Sequence, residues 1–163
     1  MHVVVLGDDI YSLVFRSYHK ESAETMEINE HDQALAVGGA FWAFSIQMVF
    51  VIVLMSCIFY DENDTKEVDV PKNEYILLVR MMTMSVMHLS LEPKLRLSLN
   101  MMKFTINHPQ EFKHLFPAFS VGLASFTAIL ATEILSAFYF CMFGNSIKVM
   151  IKLLGIGFIS DVG

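Results

Sequence analysis

Charge is scarce in this chain, and its absences are clustered. Asp, Glu, Lys and Arg make up 17% of the 163 residues, where soluble domains carry roughly 25%. None falls between Ala34 and Tyr60, and only Glu133 falls between Leu115 and Phe143. A soluble single domain is excluded on this pattern, because about 20 consecutive apolar residues suffice to span a bilayer as a helix. Cysteine is nearly absent as well. Cys57 and Cys141 form no Cys-x-x-Cys site and read as small buried hydrophobes, a disulfide between them requiring adjacent helices with Cα atoms within about 7 Å. The opening residues lack a basic start and carry Asp8 and Asp9, so the first span is expected to serve as its own insertion signal. No phosphate loop, dinucleotide fingerprint, hydrolytic triad or basic nucleic-acid patch is present. The chain is therefore expected not to be an enzyme, not to bind nucleic acid and to need no cofactor.

What is present is an all-α integral membrane pattern. A polar segment over 1–33 precedes a transmembrane domain over 34–163, with spans predicted near 34–60, 75–91, 115–143 and a short fourth or re-entrant piece near 146–160. The first three are taken as firm. Asp32 is a candidate N-cap for the first span. Glu92-Pro93 is expected to end the second, since the residue before proline leaves the helical region. Leu95, Leu97, Leu99, Met102 and Ile106, interleaved with Lys94, Arg96 and Lys103, then predict a separate amphipathic helix along the cytoplasmic face.

Orientation follows from the basic residues. The 92–114 loop holds Lys94, Arg96, Lys103 and Lys113, against Lys66 and Lys72 in the acidic 61–74 loop. The positive-inside rule places 92–114 and the N-terminus in the cytoplasm, in a plasma membrane or an endomembrane. Asn63-Asp64-Thr65 is a glycosylation sequon on the outer loop. That loop fails the calcium-loop frame, with Lys66 where glycine is required.

The residues that carry a functional question are the charges at membrane depth: Glu133, Arg80, Lys152, Lys148 and His88. From the outer ends, Arg80 is about 5 residues deep and Glu133 about 10, roughly 7 and 15 Å. Glu133 reads as a salt-bridged structural group, as the lining of an ion or proton path, or as a snorkelling acid. Arg80 and Lys152 are the expected partners. Ser120, Ala124, Ala128, Thr132 and Ser136 recur every four residues on the third span, as Gly39 and Ala43 do on the first. Small residues at that spacing admit close helix packing. The dense methionines, Met81, Met82, Met84, Met87, Met101 and Met102, raise Cu(I) as a ligand. Without a Met-x-x-x-Met and Gly-x-x-x-Gly pair they read as adaptable packing, and no metal site is expected.

From about Leu77 the order of motifs resembles a large family of multi-pass membrane proteins of ciliate protists. The matching positions are Arg80, His88, Glu92, Met102, Lys103, Asn107, His108, Thr132, Glu133, Ile134, Met150, Gly155, Ile159 and Asp161. The resemblance implies the membrane-helical fold and no particular activity. It also implies a further span after Asp161, so the chain is expected to be the front of a longer protein or one subunit of an assembly. Two functions follow as expectations. The first is a cation channel or transporter-type module built on Glu133. The second is a non-conducting structural subunit, homo- or hetero-oligomeric in the bilayer.

Overall fold

The computed structural model describes residues 9–25, 29–59 and 74–142. These form five α-helices: α1 Ile10–Tyr18, α2 Lys20–Thr25, α3 Glu30–Phe59, α4 Glu74–Asn107 and α5 Leu115–Met142. A 3-10 turn, Pro109–Glu111, joins α4 to α5. No strand occurs among the described residues; the one backbone bridge links His19 to Phe112. Asn63, Lys148, Lys152, the 146–160 segment and the acidic 61–74 loop up to Asn73 lie outside the described residues.

Helices α3 and α5 coincide with the predicted first and third spans. Both are long and apolar enough to cross a membrane, and only 22% and 28% of their apolar windows are buried. Among the described residues these are the two helices that qualify, not three. Helix α4 contains the predicted second span, 75–91, with Arg80 and His88 inside it, and continues into the charged stretch that holds Glu92, Lys94, Arg96 and Lys103. It also runs without a break through Pro93, so the separate amphipathic helix after Glu92 does not exist. Proline removes one intrahelical hydrogen bond, a loss of about 3 kcal/mol. Packing on both sides outweighs it: Leu91 is buried with Val51 of α3 and Leu135 of α5, Met101 with α1 and α5, and Ser98 is buried between them in sequence. The Glu92–Arg96 ion pair at 2.5 Å spans the proline as well. The helix start at Glu30 also overrides the expected cap, putting Asp32 inside the first turn, where an acid still favours the helix dipole.

Helix α5 is the centre of the assembly, packing along α4 most extensively and also against α3 and α1. Its small residues explain the closeness. At Gly122 an added Cβ would lie 3.0 Å from Met102 Cγ and 3.4 Å from the Met102 backbone nitrogen. Of the predicted stripe, Ala128, Thr132 and Ser136 are buried, with Ser120 and Ala124 at its margin. On α3, Ala43 is buried. Gly39 faces α1 instead of a second long helix, since its Cβ would meet Ile10 Cδ1 at 2.7 Å.

The polar N-terminal stretch contributes core. Helix α1 starts where Asp9 accepts a hydrogen bond from the Ser12 amide at 2.6 Å, the usual N-cap arrangement. It buries Tyr11, Val14 and Phe15 against α3, α4 and α5. The Tyr11 hydroxyl donates to Gln47 Oε1 at 2.8 Å. Burial, and secondarily Asp9, push this phenol from its ordinary 10.0 up to about 12. The folded state therefore holds the proton longer than the unfolded chain does. The contribution to stability is full below pH 10.0 and is lost as pH rises toward about 12. Tyr11→Phe is expected to flatten that alkaline loss, while costing about 1 kcal/mol for the missing hydrogen bond. Chemical unfolding of both forms at neutral and strongly alkaline pH checks the pair of effects.

Candidate functional site

Helices α4 and α5 form a hairpin, and its short hinge sets which residues face each other. His88 lies 19 residues before Asn107, and Glu133 lies 18 residues after Leu115. Antiparallel helices leaving one turn put positions at equal distance from it side by side. The two side chains meet accordingly: His88 Nδ1 and Glu133 Oε1 are 2.5 Å apart. With Glu133 ionised, Nδ1–H donates to the carboxylate, and Nε2 is left as a bare lone pair. A carboxylate on one ring nitrogen fixes the tautomer and leaves the other nitrogen as an acceptor.

This is a different partner from the two expected. Arg80 lies eight residues beyond His88 on α4, about 12 Å further along the axis. It is buried, at 7% exposure. Lys152 and Lys148 lie outside the described residues. Histidine was legible as an intramembrane group but not as the partner. Counting outward from the Asn107–Leu115 hinge is the signal that identifies it.

The pair is open on one side. The His88 side chain is 61% exposed and the Glu133 side chain 28%. They line a groove of about 350 Å³ together with Met84, Ser85, Ser136 and Ala137. The hydroxyls nearby are already spent on their own helices. Ser85 donates to the Met81 carbonyl at 2.9 Å, Thr132 to Ala128 at 2.8 Å and Ser136 to Glu133 at 2.7 Å. Ser120 does the same toward Phe116. Of the α5 stripe, Ala128, Thr132 and Ser136 are buried, and Ser136 also stands on the groove wall. Among the described residues no group of three His, Cys, Asp or Glu side chains is placed to hold a metal. The methionines divide: Met87 and Met101 are core, whereas Met81 and Met82 are exposed.

At the opposite end of the hairpin a second histidine cluster fastens the hinge. His19 caps α2, its Nδ1 accepting from the Ser22 amide at 3.3 Å. Its Nε2 is therefore the donor toward Glu111 Oε2, also at 3.3 Å. Phe104 stacks on His108 with ring centres 4.5 Å apart, and Phe15 meets Phe112 edge-on at 5.2 Å. The Lys113 amide donates to the Tyr18 carbonyl at 2.9 Å, and Lys20 Nζ to the Gln110 carbonyl at 2.6 Å. These bonds tie α1 and α2 to the hinge. This cluster carried no expectation in the sequence, because His19 and Glu111 are 92 residues apart.

Comparison with protein-family models, curated proteins and solved structures gives no match.

Proposed function

We propose that this chain is a multi-pass helical membrane module that passes a cation, in the simplest case a proton, through the His88–Glu133 pair. The observation that carries the reading is the pair itself: an imidazole and a carboxylate at 2.5 Å, opening onto a groove part-way along two long helices. Glu133 lies nine residues before Met142, about 14 Å inside the helix end. The membrane setting is supported by the outward surface of α3, where Phe41, Trp42, Val49, Phe50, Ile52 and Val53 are all exposed. A water-soluble protein of this size seldom exposes so large an apolar face. In such a setting an ionisable group is costly, and it is retained where it serves a path or a partner.

An imidazole–carboxylate pair has the chemistry for relay. The carboxylate holds Nδ1–H; when Nε2 takes a proton from one side, the Nδ1 proton passes to Glu133, which releases it on the other side, and a turn of the neutral ring restores the starting tautomer. The acidic residues Asp61, Glu62, Asp64, Glu67 and Asp69 would form the cation-attracting mouth on the outer side. The 92–114 segment and the N-terminus would face the cytoplasm.

The test is proton flux in vesicles reconstituted with the full chain and loaded with a pH-sensitive dye. Glu133→Gln keeps the shape and removes the charge, and is expected to slow flux by about 100-fold or more. Thr127→Val, an exposed position bonded only to its own helix, should leave flux intact. Equal flux in wild type and Glu133→Gln ends the relay reading. The structural-subunit reading would then stand, and the packed Ala128, Thr132 and Ser136 surface is what favours it.

A further inference from the structure

We infer that His19 is a pH-operated latch: in its neutral form it caps α2, and on taking a proton it gives up that cap while keeping its hold on the α4–α5 hinge. The device lies at the other end of the hairpin from His88 and Glu133 and does not depend on the relay. Its parts come from elements far apart in the chain. The ring is 16% exposed. It lies 5.9 Å from the Phe104 ring of α4 and 5.6 Å from the Phe112 ring after the 3-10 turn. Its backbone is extended, φ −79° and ψ 124°, as an N-cap residue requires.

The two ring nitrogens answer a proton in opposite ways. Nδ1 is 3.3 Å from the Ser22 amide nitrogen and 2.9 Å from the Ser22 hydroxyl. An amide can only donate, so this bond needs a bare lone pair on Nδ1. A proton there sets donor against donor, and the hydroxyl oxygen is the acceptor that remains. The amide in the first turn of α2 then loses its cap. Nε2 behaves the other way. It donates to Glu111 Oε2 at 3.3 Å in the neutral ring, and the same N–H becomes a charge-assisted donor in the cation. Acid therefore exchanges a cap on α2 for a stronger hinge contact. Imidazole is the side chain whose charge ordinarily changes between pH 5 and 8.

The elements packed around the ring carry Arg16 and Tyr18 on α1, Lys20, Glu21 and Glu24 on α2, Lys103 and His108 at the end of α4, and Lys113 and His114 beyond the turn. Among the described residues Glu111 is the charged group bonded to the imidazole. Lys20 is turned to the Gln110 carbonyl, and His114 lies against the Tyr18 ring. Helix α2 has six residues, too few to hold its shape by propagation alone, so a single cap decides whether it stays wound. The His19–Phe112 bridge and the Lys113 bond to Tyr18 do not involve α2 and stay. The Lys20–Gln110 bond goes with the helix.

Amide hydrogen exchange of the full chain in detergent tests this, with rates corrected for the direct effect of pH on exchange. From about pH 8 to about pH 5, protection of Lys20–Thr25 is expected to fall about 5-fold, the scale of one lost N-cap bond. Protection of 108–113 should not fall. His19→Asn retains a side-chain oxygen that caps well and cannot titrate, so its α2 protection should hold one level across the range. Glu111→Gln leaves the cap in place and removes the charge that favours an imidazolium. Release of α2 should persist there with its midpoint moved to lower pH. Wild-type α2 protection independent of pH overturns the inference. So does a fall that survives in His19→Asn, which would assign the titrating group to another residue such as His108 or His114. Equal loosening of α2 and the hinge overturns it as well, and an unmoved midpoint in Glu111→Gln does so with position 19 intact.

Discussion

Phe15→Ala is expected to destabilise the protein by about 3–5 kcal/mol, the range for emptying a buried aromatic site. Phe15 is 1% exposed, with its ring edge-on to Phe112 at 5.2 Å and Phe104 at 6.4 Å. Each of those pairs adds about 0.5–1.5 kcal/mol beyond simple burial. The loss is not confined to α1. Phe112 is also the residue bridged to His19, so the cavity opens where the N-terminal helices hold the α4–α5 hinge. Unfolding in mild detergent measures the cost, and limited proteolysis should show earlier cleavage between α2 and α3. Leu13→Ala, on the exposed side of the same helix, should change stability by no more than about 0.5 kcal/mol. Comparable effects at both positions would mean that α1 is not docked as described.

Gly122→Leu is the second substitution with a large expected consequence, and it separates packing from chemistry. Even a bare Cβ there would stand 3.0 Å from Met102 Cγ and 3.4 Å from Met101 Cβ. A leucine must push α4 away from α5, and overpacking of this kind costs about 1–3 kcal/mol or more. Glu133 is 11 residues along the same helix, about 16 Å away, yet its contact with His88 depends on the same helix pair. Flux is therefore expected to fall together with stability. Met102→Ala, placed in the Gly122→Leu background, should restore part of both by removing the obstructing side chain. Lower stability with undiminished flux would mean that the hairpin register does not position the pair.

The long apolar elements were readable from composition, and the interactions between them were not. Leu115–Phe143 was expected as a span and Leu115–Met142 is the helix; Ala34–Tyr60 became Glu30–Phe59. Runs this long with at most one charge have few alternatives. Local rules failed where packing competed with them. Pro93 has the sequence signature of a helix end, but Leu91 and Ser98 on either side are buried, and their burial holds the helix straight through. Phe15 and Tyr11 sat in a stretch read as polar, because Asp8, Asp9 and the later glutamates dominate its average. Gly122 escaped notice since it lies two residues off the Ser120–Ala124 register. Glu133 was found at once, being the lone charge in its run, whereas its partner was assigned by charge type. Arg80 is a permanent cation, but among the described residues it is the imidazole of His88 that meets Glu133; Lys152 lies outside them. Helices apolar on all sides mark no face for packing, so their rotation cannot be read from the pattern alone.

The hinge is pinned on both strands of its turn, by the Lys113 amide to Tyr18 and by Lys20 to Gln110. It thus has no slack to absorb a change in length. One residue added between Asn107 and Leu115 would turn α5 by about 100° and shift it by about 1.5 Å relative to α4. Glu133 would then point away from His88 although every side chain of the pair was unchanged. Surface connections generally tolerate insertions; here the connection works as a gauge block, and a change in its length would part the two residues it aligns.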